Sequence, residues 1–334
     1  MDGKWNHKIF SLDEASFPSA AIEIFRFQYT NNPVYNAYAT ALGIDAMKVS
    51  SVFEIPFLPI RFFKTHDVKT TSFTPQLTFE SSGTSGFNTS RHFVYDKQVY
   101  EDSFTTCFEH FYGPVKDLCI IGLLPSYLER QGSSLVYMVD DMIRKSDHKE
   151  SGFYLDEFET LKNVLTGLEE RQQKTLLIGV TFALLDFAER FAIPLKNTII
   201  METGGMKGRR KELTREEVHD KLKKAFDIPV IHSEYGMTEL LSQAYSKGNG
   251  RFECPPWMKV LVREEDDPLT VQEQKIKNGN KEMSGILNVI DLANIWSCSF
   301  IATDDVGKIF ENGTFEVQGR VDNSDIRGCN LLIA

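Results

Sequence analysis

Patterns typical of strands and helices alternate between Asp96 and Ile231, and this alternation limits the folds that the chain can adopt. Short apolar runs such as Leu118–Leu124 and Leu176–Val180 indicate buried strands, and longer stretches with helical periodicity separate them. Parallel strands need crossover helices of this kind, which cover both faces of the sheet. The sequence therefore predicts an α/β fold with mostly parallel sheets covered by helices. The predicted helices are Asp96–Tyr112, Ser133–Arg144, Leu155–Arg171, Phe182–Phe191 and Thr214–Phe226, and the other predicted strands are Asn197–Met201 and Ile228–Ile231.

Different patterns flank this region. Ser11 and Glu14 have the spacing of a capping box, so we expect a helix from there to Pro33, and a second helix from Tyr35 to Leu42. From about Trp257, short strand patterns are separated by turns rich in Gly, Asn and Asp, which predicts an antiparallel, β-rich subdomain. Its predicted strands are Met258–Arg263, Gly285–Ile290, Trp296–Ala302 and Thr314–Val317.

The acidic composition argues against some functions. The chain of 334 residues has a net charge of −10 and no long block of Lys or Arg, unlike a nucleic-acid surface. No apolar run approaches the roughly 20 residues of a membrane span, and the N-terminus lacks a signal-peptide pattern. The five cysteines have no CxxC spacing, so neither a disulfide framework nor a zinc site is indicated. We predict a cytoplasmic protein with no nucleic-acid partner and no membrane span.

A loop at Ser81–Ser90 reads Ser-Ser-Gly-Thr-Ser-Gly-Phe-Asn-Thr-Ser and follows the strand-like segment Gln76–Glu80. Its glycines allow backbone N–H groups to turn inward and its hydroxyls add donors, so the loop suits phosphate oxygens. It is not a Walker loop, because no Gly-Lys-Ser/Thr closes it. Taken alone, the loop fits a flexible, solvated connection equally well.

Four further candidate loops follow predicted strands. In an open parallel sheet, ligands bind beyond the carboxyl ends of the strands. The candidate loops are Thr203-Gly204-Gly205, His232–Glu239, Thr303–Gly307 and Gly319–Asp322. Within the second of them, His232 fits a structural histidine better than a catalytic base.

Motifs in these loops carry a resemblance to a known superfamily. They are Ser-Ser-Gly-Thr-Ser-Gly (81–86), Tyr-Gly-Met-Thr-Glu (235–239), Thr-Asp-Asp-Val-Gly (303–307) and Gly-Arg-Val-Asp-x-x-x-Ile-Arg-Gly (319–328). In this order they resemble the adenylate-forming superfamily of acyl- and aryl-CoA ligases, adenylation domains and firefly-type luciferases. The chain looks most like the LuxE-type acyl-protein synthetases, which activate fatty acids for an aldehyde-forming reductase. The resemblance implies the adenylate-forming N-terminal domain fold, with an α/β core at 1–256 and a β-rich subdomain of the same domain at 257–320.

The resemblance also implies ATP and Mg²⁺ as cofactors. It places the ATP-binding positions at Ser82, Gly83, Thr84, Ser85 and Gly86 for the β- and γ-phosphates, Gly204, Gly205, Tyr235 and Gly236 for adenine, and Asp305 for the ribose hydroxyls. It places the catalytic positions at Thr238 for the α-phosphate, Glu239 for Mg²⁺, and Arg320 near the ribose and phosphates. Two acceptor oxygens suit Asp305 to a pair of hydroxyls, and a carboxylate suits Mg²⁺.

The chain departs from the superfamily pattern in two places. Thr89 stands where family members usually carry a Lys, and Arg91 follows two residues later. Only 14 residues follow Arg320, so we expect the lid domain and its adenylation lysine to be absent or vestigial, with 321–334 as a truncated hinge or tail.

LuxE-type synthetases pass the acyl group to one of their own cysteines near the C-terminus and then to a reductase partner. The resemblance therefore implies Cys329 as the acyl-accepting nucleophile, with Cys254 as second choice, and an acyl-CoA-reductase-like (LuxC-like) partner. A thiolate is a competent nucleophile for an acyl adenylate. Three alternatives stay open: Cys329 packs as a small apolar residue, CoA or a carrier protein accepts the acyl group as in phenylacetate-CoA ligases, or the chain is a non-catalytic nucleotide-binding subunit.

Overall fold

The computed structural model describes residues 6–81, 89–124, 132–155, 157–204, 213–264, 267, 269–272 and 282–321. The helices are α1 (Asn6–Ile9), α2 (Phe17–Asn31), α3 (Pro33–Ala41), α4 (Phe62–Thr65), α5 (Lys97–Tyr112), α6 (Ser134–Ser146), α7 (Phe158–Glu170), α8 (Thr181–Arg190) and α9 (Arg215–Phe226). The strands are β1 (Leu58–Pro59), β2 (Leu77–Glu80), β3 (Arg91–Val94), β4 (Cys119–Leu123), β5 (Gly152–Phe153), β6 (Thr175–Gly179), β7 (Thr198–Glu202), β8 (His232–Tyr235), β9 (Ala244–Ser246), β10 (Met258–Arg263), β11 (Met283–Asp291), β12 (Phe300–Ile309) and β13 (Phe315–Arg320).

The central sheet has six strands in the order β5-β4-β6-β7-β8-β9. All neighbouring pairs are parallel except β8 and β9, which are antiparallel. Every residue of β4 and β6 is buried, as expected of strands that helices cover on both faces. The predicted α/β fold with a mostly parallel sheet is confirmed.

A second sheet forms the predicted β-rich part. Strands β10, β11, β12 and β13 pair in antiparallel fashion, each with the next along the chain. Strand β1 adds to the same sheet by pairing in parallel with β12. The second sheet therefore contains a segment from the first fifth of the sequence as well as residues beyond Trp257.

The two sheets meet at Asp291, the last residue of β11. This carboxylate is fully buried, and its Oδ2 accepts the backbone N–H groups of Leu241 at 2.8 Å and Ser242 at 2.9 Å. Its Oδ1 accepts the Ser242 hydroxyl at 2.6 Å and the N–H of Ala293 at 3.1 Å. Burial raises the pKa of Asp291, and these hydrogen bonds oppose that shift. Asp291 thus fixes the segment that follows β8 against the second sheet.

Three strand predictions were displaced along the chain. Strand β8 begins at His232 and not at Ile228, because Pro229 has no N–H to donate and pairing with β7 starts opposite Met201. The strand predicted to end at Ala302 continues to Ile309. The strand predicted to end at Val317 continues to Arg320. In both, backbone pairing continues where the side chains become polar, so the apolar pattern ends before the strand does.

The phosphate-type loop has a different setting from the predicted one. Strands β2 and β3 form a separate two-stranded antiparallel sheet, so the loop joins a hairpin and does not follow a strand of the central sheet. Helix α2 also starts later than Ser11 predicts, at Phe17, because Asp13 and Ser16 hydrogen-bond each other in a turn before it. Among the described helices, none has both the length and the apolar character needed to cross a membrane.

Replacing Asp291 tests its role in joining the sheets. We expect Asp291→Ala to lower the free energy of unfolding by about 3 kcal/mol or more, because it leaves buried N–H groups without an acceptor. Asp291→Asn keeps one acceptor oxygen and should cost less. Urea unfolding measures both changes.

Asp13→Ala is the matched control, since Asp13 also accepts a backbone N–H, from Ser16, but lies exposed. Equal losses in Asp13→Ala and Asp291→Ala would show that Asp291 has no special part in holding the sheets together.

Candidate active site

Strands from both sheets bring Tyr235, Asp305 and Arg320 together. The Tyr235 hydroxyl donates to Asp305 Oδ2 at 2.8 Å, and Arg320 Nε donates to Asp305 Oδ1 at 2.9 Å. Asp305 and Arg320 are direct partners in the β12–β13 register, and Asp305 is buried. Burial lowers the pKa of Arg320, but the charge of Asp305 raises it above the usual value. We call these three residues the Asp305 triad.

The Tyr235 ring is largely covered. It is 8% exposed and packs against Phe252 and Phe315, with ring centroids 5.9 and 5.4 Å away. Burial, followed by the negative charge of Asp305, raises the pKa of the phenol. In this arrangement the hydroxyl of Tyr235 reaches the site, and stacking of adenine on the ring stays a prediction.

Thr238 and Glu239 lie in the loop after β8. Glu239 is 2% exposed, and its Oε2 is buried without a hydrogen-bond partner. The half-buried Thr238 hydroxyl makes no hydrogen bond within the described residues. Glu239 is close enough to the triad for its charge to raise the pKa of Arg320. A buried carboxylate oxygen without a donor is rare in folded proteins, and it suits a cation or a ligand.

His92 and Asn294 hold the backbone of this loop. Asn294 Nδ2 donates to the carbonyl of Glu239 at 2.8 Å and to that of Cys298 at 2.9 Å. These two bonds orient the amide so that Asn294 Oδ1 faces His92 Nε2 at 2.9 Å. The other ring nitrogen of His92 lies 2.8 Å from the Thr238 carbonyl oxygen. Both ring nitrogens therefore face acceptors, and an imidazole donates to both only when it is protonated. Burial lowers the pKa of His92, while the two hydrogen bonds and the Glu239 charge oppose this shift.

Glu202 organises the turn that contains Gly204. This buried carboxylate ends β7 and accepts the Gly204 N–H at 2.9 Å and the Thr181 hydroxyl at 3.1 Å. Burial would raise the pKa of Glu202, but His219 and Arg215 beside it lower the pKa to about 2. Gly204 has a φ of +62°, and apart from its chain neighbours no atom of the described residues lies within 4 Å of the position that a Cβ would take there.

The two ends of the phosphate-type loop are joined. Ser81 N–H donates to the Ser90 carbonyl at 3.0 Å, and Ser90 N–H donates to the Ser81 hydroxyl at 2.9 Å. Arg91, the candidate replacement for the missing Lys, lies in β3 and pairs with Asp67 at 2.8 Å. The predicted ligands Ser82, Gly83, Thr84, Ser85 and Gly86 lie outside the described residues, as do Gly205 and Cys329.

The structure thus brings together Tyr235, Thr238, Glu239, Asp305 and Arg320, with the exposed Gly236 in the same loop. Asp305 and Arg320 were predicted in loops but lie in strands β12 and β13. His232 contacts the Tyr112 hydroxyl at 3.1 Å, and burial lowers its pKa to about 4.

Sequence reasoning missed the supporting residues Glu202, His92 and Asn294. Glu202 carried a usable signal, because an acid ends a buried strand directly before Thr-Gly-Gly. The pair formed by His92 and Asn294 carried none, since its members lie about 200 positions apart in sequence.

The pH dependence of stability tests the Glu202 contacts. The pKa of Glu202 is about 2 in the folded protein against a usual 4.5, so its ionised form stabilises the fold above pH 4.5. This stabilisation is lost as the pH falls towards 2. When the pH is lowered from 5 to 2, the free energy of unfolding should fall by about 3 kcal/mol less in Glu202→Gln than in the wild type.

Urea unfolding at stepped pH measures this difference, with Glu14→Gln at an exposed site as control. Identical pH profiles for Glu202→Gln and the wild type would refute the proposed stabilisation by Arg215 and His219.

Comparison with known proteins adds evidence from the fold. No protein-family model and no curated protein matches the sequence. Among solved structures, the chain is similar to ATP-bound MatB from Rhodopseudomonas palustris, with a TM-score of 0.54 and 14% identity over 73% of this chain. An ATP-bound chimera of RpMatB and BxBclM gives the same values. The chain spans about half (47%) of the length of both. The described chain has the fold of adenylate-forming enzymes.

Proposed function

We propose that this chain activates a carboxylic acid with ATP, forming an acyl adenylate and releasing pyrophosphate. The fold supports this reaction class, and the reaction requires a site that fits ATP. The Asp305 triad and the Glu239 carboxylate supply acceptors and a positive charge at the carboxyl end of β8, where ligands bind in parallel sheets.

The buried, unpartnered Oε2 of Glu239 is the observation that carries the proposal. The described residues contain no group of three or more His, Cys, Asp or Glu that could hold a metal ion. Mg²⁺ fits Glu239 nevertheless, because it commonly binds through one or two carboxylates together with phosphate oxygens and water. When bound there, Mg²⁺ would neutralise negative charge on the phosphates of ATP.

The remaining groups are suited to the nucleotide. Each Asp305 oxygen uses one acceptor site within the triad and keeps another for a ribose hydroxyl. Arg320 contributes a positive charge beside it, and the Thr238 hydroxyl is a donor for a phosphate oxygen. The turn at Gly204, which is fixed by a hydrogen bond to Glu202, is where the adenine base would lie.

In the proposed reaction, a carboxylate oxygen of the acid attacks the α-phosphorus of ATP. A new P–O bond to the acid forms as the bond to the β-phosphate oxygen breaks, and pyrophosphate leaves with that electron pair. Charge builds up on phosphate oxygens in the transition state, so donors fixed in advance lower the barrier. His92 and Asn294 act by holding the backbone of Thr238 and Glu239 in place.

A fatty acid is the proposed substrate class, with Cys329 as the first acyl acceptor. Its thiolate would attack the acyl carbonyl, forming a thioester and releasing AMP. The described cysteines are poor candidates: burial raises the pKa of Cys107 and Cys119, and it raises that of Cys254 and Cys298 to about 12. A reductase-like partner would then take the acyl group, and CoA or a carrier protein are the alternative acceptors.

Removing the charge of Glu239 or Asp305 should impair adenylate formation differently. We expect Glu239→Gln to lower kcat by roughly a hundredfold and to raise the Mg²⁺ requirement. Asp305→Asn should mainly raise the KM for ATP, by about tenfold, since it weakens contacts present before reaction. Acid-dependent ATP–pyrophosphate exchange measures both, using fatty acids from octanoic to hexadecanoic acid and aryl acids.

Asp304→Asn is the control for Asp305→Asn, because Asp304 adjoins Asp305 but pairs with Arg61 at 3.3 Å. Thermal unfolding of each variant separates loss of fold from loss of activity. If none of the acids supports exchange in the wild type, the alternative of a non-catalytic subunit is favoured. Unchanged kinetics in both variants would show that Glu239 and Asp305 do not belong to the site.

Acyl transfer is tested by labelling. With ATP, Mg²⁺ and a radiolabelled fatty acid, we expect label on the denatured wild-type protein that hydroxylamine removes. Cys329→Ser should lose at least about nine-tenths of the label with exchange activity intact, and Cys254→Ser should keep it. Exchange without any protein-bound label would instead support CoA or a carrier protein as acceptor.

A further inference from the structure

The pairing of β11 with β12 is interrupted beside Asp305. Strand β11 has one residue, Leu287, where β12 has three, residues 303–305. On both sides of this stretch the register of the two strands is regular. A bulge of this kind bends the strand, leaves backbone groups without ladder partners and re-aims side chains. We call residues 303–305 the β12 bulge, and Asp305 is its last residue.

Arg263, the last residue of β10, reaches across β11 and binds the backbone at the β12 bulge. Its Nη2 donates to the Thr303 carbonyl at 2.6 Å, and its Nη1 donates to the Leu287 carbonyl at 3.2 Å and to Asn288 Oδ1. Thr303 and Leu287 have no ladder partner on the opposite strand, so the guanidinium supplies donors where the β11–β12 pairing stops. Arginine suits this place because it presents five N–H donors in a rigid, planar fork.

Thr303 extends this support to Asp305. The Thr303 hydroxyl donates to the Leu287 carbonyl at 2.7 Å and accepts the backbone N–H of Asp305 at 3.1 Å. The contacts therefore run from Arg263 through Thr303 to the main chain of Asp305, and all three residues are buried. The Asp305 triad fixes the carboxylate, and this second set of contacts fixes the backbone that carries it.

Arg263 is a costly residue at this position. It is 6% exposed, and its Nε is buried without a hydrogen-bond partner. Within the described chain its hydrogen bonds go only to uncharged oxygens, two carbonyls and one amide. Removing a cation from water without pairing it opposes folding, so net stability explains this residue poorly. Control of the shape of the β12 bulge explains it better.

Resting on the proposed function, we propose that Arg263 is a positioning residue for the ribose of ATP. By holding the β12 bulge, it sets the main chain of Asp305 where the carboxylate can accept two ribose hydroxyls. Two hydrogen bonds to one carboxylate require accurate placement, because each weakens steeply when its angle departs from linear. Arg263 thus contributes to the selection of ribonucleotides, and it acts through Asp305 and not on the nucleotide itself.

Exchange kinetics with ATP and 2′,3′-dideoxy-ATP test this role, because the dideoxy analogue lacks the hydroxyls that Asp305 would bind. We expect Arg263→Met to raise the KM for ATP by about tenfold and to leave kcat within about twofold of the wild-type value. The KM for the dideoxy analogue should stay within about twofold. Arg263→Lys keeps the charge and a donor, so it should raise the KM for ATP by only about threefold.

Two further variants separate positioning from folding. Thr303→Val removes the hydroxyl that binds the Asp305 N–H and should give the same ribose-selective rise in KM, so it carries the test if Arg263→Met does not fold. In the Asp305→Asn background, Arg263→Met should raise the KM for ATP no further, because both changes act on the same contact.

Arg26→Met is the matched control. Arg26 also donates to two backbone carbonyls, those of Ala46 and Val49, but it does not contact the β12 bulge. Both KM values should therefore stay at the wild-type level in this variant.

Three results would overturn the inference and leave the proposed function standing. They are a wild type that does not distinguish the two nucleotides, unchanged KM values in Arg263→Met and Thr303→Val, and equal rises for both nucleotides in these variants. Equal rises would show that Arg263 supports only the fold.

A wild type that shows no exchange with any acid would instead overturn the proposed function. Thermal unfolding with Mg²⁺ and each nucleotide then decides the role of Arg263 separately. ATP should raise the Tm of the wild type more than the dideoxy analogue does, and Arg263→Met should lose this difference. No difference in the wild type, or the same difference in Arg263→Met, would overturn the inference.

Discussion

The buried carboxylate of Asp291 is the interaction on which the candidate site depends. It binds the backbone just after Glu239, while the nearby Asn294 binds the carbonyl of Glu239 itself. Both residues follow or end β11, so the second sheet fixes a loop that belongs to the first. This support matters because Glu239 holds a buried oxygen without a partner, an arrangement that costs free energy and persists only when its surroundings fix it.

Strand β12 has a similar part in placing Asp305. Strand β12 pairs with β11 on either side of Asp305, at Ala302 and Val306, and its pairing with β13 sets Arg320 directly opposite Asp305. A buried ion pair contributes little net stability, because removing both charges from water offsets their attraction. The role of the pair is better explained by where it places the Asp305 carboxylate. Arg320 and Tyr235 orient this carboxylate, and their contacts hold a strand of the second sheet against the end of β8.

The sequence predicted the architecture better than the site. Alternating strand and helix patterns were sufficient for the central sheet, because its buried strands are continuously apolar, as β4 and β6 show. Strands β8, β12 and β13 were misplaced because their site-facing ends carry His, Glu, Asp and Arg, which interrupt that pattern. The motif residues were found through resemblance. Their supports, such as His92 with Asn294, depend on contacts between distant segments and leave no local signature.

Two carboxyl groups, Glu202 on β7 and Glu234 on β8, lie on opposite faces of the central sheet and show how the fold sets charge around the site. Glu202 has its pKa lowered to about 2, because Arg215 and His219 outweigh the effect of burial. No described Arg, Lys or His lowers the pKa of Glu234, and burial together with the charge of Glu202 raises it to about 8. Opposed shifts of this size separate the roles of two acids of the same type. The charged Glu202 fixes the turn at Gly204, whereas burial keeps Glu234 mostly uncharged at neutral pH.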